Sequence, residues 1–147
     1  GTSAMDRVAA IQTPGASGAL RMLGDLMKVA QPDTTVWISN PSYVNHKPVM
    51  EAAGLKVKFY HYFSPETKQV DTAKMMDDLA KAGPSDVVLL HGCCHNPTGA
   101  DITEAQWRQV IDICKNKNLI PFLDMAYQGI FVSSSPPRTV WPSSILH

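Results

Sequence analysis

No apolar run in this sequence approaches the roughly 20 residues that a membrane span needs, and no charged and then hydrophobic leader opens it. The chain therefore reads as cytoplasmic, without a membrane partner. Excess charge of either sign is also missing: Lys plus Arg and Asp plus Glu stand at 13 each, so nothing pulls nucleic acid toward it. Cysteine is scarce. The adjacent Cys93-Cys94 and the distant Cys114 fit neither a disulfide framework nor a C-x-x-C metal pattern, and a reducing compartment is the simplest setting. Neither a Gly-Lys-Ser/Thr phosphate loop nor a G-x-G-x-x-G fingerprint occurs, which removes the common nucleotide-binding readings. What remains is 147 residues, 44% hydrophobic and 18% charged, the composition of one ordinary globular domain.

Short β-branched runs alternate with amphipathic stretches, the pattern of βαβ units and a mainly parallel sheet. After the small-residue loop 13–18, apolar residues at Leu20, Leu23, Leu26, Met27 and Ala30 predict one helical face. Residues 36–39 read as a strand stopped by Asn40-Pro41-Ser42, and 46–53 as a short helix ended by Gly54. A second strand is expected over 57–63 and a turn at Pro65-Glu66. A helix over 71–82 follows, with Met75, Met76 and Leu79 inward and Gly83-Pro84 as its stop. Residues 87–90 predict a fully buried strand. Thr103-Glu104-Ala105-Gln106 is a capping box that opens a helix with Trp107, Val110, Ile111 and Cys114 on its buried side. A last strand over 119–123 delivers Asp124 at its C-terminal end. From Val132 onward no period is visible.

Ligands of open α/β sheets gather beyond the carboxyl ends of the strands. The loops at those ends carry Tyr43 and His46, then His91 and Asn96, then Asp124 and Tyr127, while Ser17 adds a hydroxyl at a helix N-terminus. Each has a plainer reading. Pro14-Gly15-Ala16-Ser17-Gly18 suits an anion held by backbone N–H groups and the helix dipole, and equally a tight turn with Ser17 as N-cap. The run from His91 to Gly99 invites a metal through its histidines and cysteines. Adjacent cysteines, however, do not readily take tetrahedral positions, so no metal is expected. Alone, Asp124 would serve as a helix cap and Tyr127 as a half-buried core residue.

The combination is more specific. Pro14-Gly15-Ala16-Ser17-Gly18-Ala19-Leu20, then Asn40-Pro41-Ser42-Tyr43-Val44-Asn45-His46, then His91-Gly92-Cys93-Cys94-His95-Asn96-Pro97-Thr98-Gly99, then Asp124-Met125-Ala126-Tyr127-Gln128-Gly129 resemble, in order and spacing, the aspartate and aromatic amino-acid aminotransferases. The resemblance runs from about Ala4 to Gly129. It implies a three-layer α/β fold, a mainly parallel sheet with helices on both faces, as an incomplete large domain of fold type I. It also implies pyridoxal 5'-phosphate as cofactor, with an amino acid and a 2-oxo acid as substrates and a homodimer as the intact assembly. Carried over by the same resemblance, Ala16 and Ser17 hold the cofactor phosphate and Tyr43 stacks on its ring. Asp124 pairs with the ring nitrogen, and Asn96 and Tyr127 reach the ring oxygen. Tyr43 and Asn96 also meet the substrate, and His46 and His91 orient Asp124 and the ring.

This sequence departs from that pattern in two ways. Tyr43 stands where aspartate aminotransferases usually carry Trp, and Ala16-Ser17 where they carry Gly-Thr; an aromatic face and a hydroxyl survive both changes. More consequentially, the family's lysine that binds the cofactor lies beyond the Asp-x-Ala-Tyr segment, and no lysine follows Lys117. The substrate-clamping arginines belong to segments that are not here either. Residues 1–131 are thus expected to form part of the cofactor-binding large domain and 132–147 a non-family tail. A shifted reading frame near Gly129 would explain that tail, a designed cut or a natural splice being the alternatives. The expected activity is amino-group transfer in the intact relative and none in this chain alone, with no catalytic residue of its own. A non-catalytic cofactor-binding module and a non-functional gene fragment are the rival readings.

Overall fold

The computed structural model describes residues 4–127; the tail expected over 132–147 lies outside the described residues. Four parallel strands form the sheet, β1 (Thr35–Asn40), β2 (Lys56–His61), β5 (Val87–His91) and β6 (Ile120–Asp124), in the order β2-β1-β5-β6. A two-stranded antiparallel hairpin, β3 (Phe63–Ser64) with β4 (Gln69–Val70), stands apart. The helices are α1 (Gly15–Ala30), α2 (His46–Ala52), α3 (Thr72–Leu79) and α4 (Glu104–Lys117), preceded by a 3-10 turn at Ala4–Arg7. Side-chain alternation along the central strands explains the layers. Val36, Ile38, Val87 and Leu89 point to one face and pack with Leu20 of α1 and Met50 of α2. Trp37, Val88 and Leu90 point to the other, against Met75 and Leu79 of α3 and Val110 and Cys114 of α4. Helices therefore cover both faces, and the three-layer parallel fold is as expected.

Local signals explain most boundaries. The capping box at α4 is formed: the Gln106 amide donates to Thr103 Oγ1 at 3.3 Å, and the Thr103 amide donates to Gln106 Oε1 at 2.8 Å. Asp71 caps α3 by accepting from the Lys74 amide. At the N-terminal edge of the sheet the Asp86 carboxylate accepts from the Thr35 amide (3.0 Å), Trp37 Nε1 (2.9 Å) and the Gly83 amide (2.9 Å), joining β1 to the entry of β5.

Three expectations need correction. The strand over 57–63 ends at His61, because Tyr62 turns into the core and Phe63 starts the hairpin. The helix over 71–82 is shorter than its apolar spacing implies, ending at Leu79 with Ala80 as its cap. On α1 the buried seam is rotated: Leu20 and Gly24 are buried, Leu23 and Met27 are half-buried, and Leu26 is 56% exposed. Gly24 causes the rotation. A Cβ there would lie 2.9 Å from Ala53 Cβ, so α1 and α2 meet backbone to methyl where no larger residue fits.

The parallel register sets His91 beside Asp124, and Asn40 ends β1 two strands from β6. Loops leaving β1, β5 and β6 consequently converge at one end of the sheet, beside the start of α1.

Candidate active site

Those loops and the N-terminus of α1 enclose an open cavity of about 170 Å³, lined by Ala16, Ser17, Leu20, Tyr43, His91, Cys93, Asn96, Asp124, Ala126 and Tyr127. All six residues expected to touch the cofactor are in this lining, together with His91, while His46 lies directly behind Asp124. At that volume the cleft is below the ~300–1,000 Å³ of a complete ligand pocket.

One pole of the cleft is the start of α1. Pro14 occupies the N-cap position and no side chain caps the helix. The reading of Ser17 as N-cap is therefore corrected: it is the third helical residue, and its hydroxyl takes no partner among the described residues. Gly15, at φ +70, makes the turn that brings these amides to the cleft. Unpaired N–H groups and the helix dipole give this wall a partial positive charge, suited to an anion.

The opposite pole is Asp124, whose Oδ2 accepts from His46 Nε2 at 2.8 Å. That hydrogen bond holds the Asp124 carboxyl below the usual carboxylate range, against the opposing effect of its burial. His46 itself is fully buried. Its Nδ1 meets Ser42 Oγ at 2.8 Å, Ser42 Oγ meets His91 Nε2 at 3.3 Å, and His91 Nδ1 accepts from the Asn96 amide at 3.3 Å. The amide can only donate, which fixes every hydrogen in the series when the rings are neutral. His91 carries its proton on Nε2 and donates to Ser42, Ser42 donates to His46 Nδ1, and His46 donates to Asp124. Burial, with His46 nearby, pushes His91 down to about 4, so His91 is uncharged at neutral pH.

Tyr43 is half-buried at the mouth, its hydroxyl accepting from Asn45 Nδ2 at 2.8 Å and its ring edge-on to His46. Tyr127 is 40% exposed on the far rim. A planar ligand bearing an anionic group at one end and a cationic N–H at the other matches this distribution of charge and aromatic surface. Among the described residues no lysine or arginine lines the cleft. Among the described residues no three His, Cys, Asp or Glu side chains gather as a metal site; His91 and His95 are committed to hydrogen bonds within the protein.

Two participants were not legible as such. Ser42, the bridge between two histidines, lies four residues before His46, a spacing that puts both on one turn; that was the available signal. Cys93, a metal-ligand candidate by composition, instead lines the cleft, its thiol raised by burial and by Cys94.

The sequence profile of the class I and II aminotransferases matches residues 1–144. The chain belongs to this family. It is 47% identical over 124 residues to a tyrosine aminotransferase of Klebsiella pneumoniae, covering 84% of this chain and 31% of that protein. In structure it is similar to an aromatic-amino-acid aminotransferase from Burkholderia pseudomallei covalently bound to pyridoxal phosphate. The TM-score there is 0.78 at 42% identity, over 80% of this chain and 29% of that one. The cytoplasmic aspartate aminotransferase of Saccharomyces cerevisiae aligns with a TM-score of 0.82 at 38% identity, over 85% of this chain and 30% of that one. The chain thus spans only about a third of the length of these relatives. No helix among its described residues is long and apolar enough to cross a membrane.

Proposed function

We propose that this chain supplies one side of a pyridoxal 5'-phosphate site and that the intact protein transfers an amino group between an amino acid, aspartate or aromatic, and a 2-oxo acid. One observation carries the reading: an ionised carboxylate backed by His46 faces the same cleft as an uncapped helix N-terminus. When bound, the cofactor would supply an electron sink for the bond broken at the substrate Cα. The remaining work falls to the protein. Ala16 and Ser17 hold the phosphate with amides and a hydroxyl, and Tyr43 covers one face of the ring. Asp124, kept ionised by His46 Nε2–H, holds a proton on the ring nitrogen. Asn96 and Tyr127 donate to the ring oxygen, and Asn96 with Tyr43 borders the substrate. His46 and His91 keep Asp124 in place through Ser42.

The same reading takes the intact protein as a cytoplasmic homodimer, supported by family resemblance and by three free thiols that suit a reducing compartment. For the 147-residue chain itself, a cleft without lysine favours reversible, non-catalytic binding. Titration with pyridoxal phosphate, followed by absorbance and dialysis and compared with unphosphorylated pyridoxal, tests this. The expected result is phosphate-dependent binding that dialysis removes. Equal binding of both compounds, or no binding, would reject the site.

A further inference from the structure

A second buried polar series lies beside the first, centred on His95. This residue is 2% exposed, and both ring nitrogens have partners. The Ala100 amide donates to Thr98 Oγ1 (3.2 Å), and the Thr98 hydroxyl meets His95 Nδ1 at 2.8 Å, where it can donate its hydrogen to the ring. With that hydrogen given to Nδ1, Nε2 of the neutral ring carries the proton and donates to Ser39 Oγ at 3.0 Å. Ser39 lies beside Tyr60, its register partner on β2, and the Tyr60 hydroxyl donates to the Leu89 carbonyl at 2.9 Å. The hydrogen bonds thus tie the loop after β5 to β1, beside the Tyr60 tie from β2 into β5.

The ring is also held by its faces. Tyr62 stacks on it with centroids 3.8 Å apart and an interplanar angle of 13°, and His91 lies 4.2 Å away. Burial pushes His95 down to about 3, consistent with a ring that stays neutral. Around it the loop is pinned: Asp101 accepts from the Cys94 and His95 amides at 2.8 Å each, and the Tyr62 hydroxyl donates to the Ala100 carbonyl at 2.7 Å. Asn96 follows His95 directly, and its amide is the first donor of the series that ends on Asp124. Position at residue 95 is therefore transmitted to two places in the cleft, the Asn96 side chain and, through His91, the carboxylate.

We infer that His95 is a positioning residue, which ties loop 95–100 to the sheet through Thr98 and Ser39 and so sets where Asn96 meets a ligand in the cleft. The ligand contact of Asn96 rests on the function proposed above; the positioning itself does not.

Nitrogen-15 NMR of the imidazoles in the 147-residue chain should find His95 protonated on Nε2 and bare on Nδ1 from pH 7 to 5; the opposite tautomer, or a mixture, overturns the inference. Thr98 does not line the cleft, so Thr98→Val and Thr98→Ser then separate positioning from bulk. Thr98→Val is expected to shift the backbone and side-chain amides of Asn96 and to raise the dissociation constant for pyridoxal phosphate roughly tenfold, the scale of one lost buried hydrogen bond. Thr98→Ser should leave both as in the parent chain. Gly24→Ala, a destabilising change at the α1–α2 contact on the other face of the sheet from Tyr62, should leave the Asn96 signals unmoved. Unchanged Asn96 signals in Thr98→Val, or equal shifts in Gly24→Ala, overturn the inference. Should Thr98→Val fail to fold, Ser39→Ala cuts the series on the other side of the ring and carries the same expectation. A parent chain that binds no cofactor rejects the proposed function, and the Asn96 shifts alone then decide the role of His95.

Discussion

Acidifying the protein from pH 7 to 5 should weaken it by an amount set by two histidines. His91 and His95 are held down to about 4 and about 3, in both cases chiefly by burial. The unfolded chain returns each to ~6.5. A group depressed in the folded state contributes its full stability above the unfolded value and loses it as pH falls toward the folded value. Between pH 6.5 and 4 the unfolded chain therefore takes up protons that the folded one refuses. Each such proton costs ~1.4 kcal/mol per pH unit once the unfolded ring is fully charged. From pH 7 to 5 this gives about 2 kcal/mol for buried His95 and, discounted for its partial solvent contact, about 1 kcal/mol for His91. Asp78 and Asp124, whose carboxyls are also held low, titrate mainly below this window. Urea denaturation at pH 7, 6 and 5 should show the loss as a falling midpoint at constant slope, about 3 kcal/mol in all. A midpoint unchanged across the window, or a His95 resonance titrating near 6.5, would refute the assignment of buried neutral rings.

Gly24→Ala places a methyl 2.9 Å from Ala53 Cβ, and overpacking of ~1–3 kcal/mol should outweigh the ~1 kcal/mol gained in helix propensity. Thermal melts should show a lower midpoint that Ala53→Gly partly restores, and a raised midpoint would mean the helices separate freely. Asp86→Ala strands the Thr35 amide, Trp37 Nε1 and the Gly83 amide, and should cost about 2–4 kcal/mol in urea denaturation. Asp86→Asn, which keeps one acceptor oxygen, should lose less, and equal losses would show that the carboxylate's charge rather than its geometry matters.

Much of this was legible in the sequence because it depends on short-range order. Thr103 and Gln106 announce α4 by a capping box that needs only neighbouring residues, and the unbroken Val87-Val88-Leu89-Leu90 run signals a strand covered on both faces. The convergence of Tyr43, Asn96 and Asp124 follows from parallel strands, whose carboxyl ends all face one way. What escaped depends on distant partners. The seam on α1 turns on Gly24 meeting Ala53, a contact that helical periodicity does not encode. His95 resembled a metal ligand by composition, and its commitment to Ser39, 56 residues earlier, appears only when β1 lies against β5. Ser17 seemed a cap until the helix was found to begin two residues before it.

The central claim is that an uncapped helix start and a histidine-backed carboxylate form two poles of one cofactor cleft. Amide and side-chain NMR of the chain titrated with pyridoxal phosphate tests it most directly. The account predicts saturable shifts at Ala16, Ser17, Tyr43, Asn96, Asp124 and Tyr127, reversed on dialysis. Shifts clustered elsewhere, or confined to lysines on the outer surface, would contradict it.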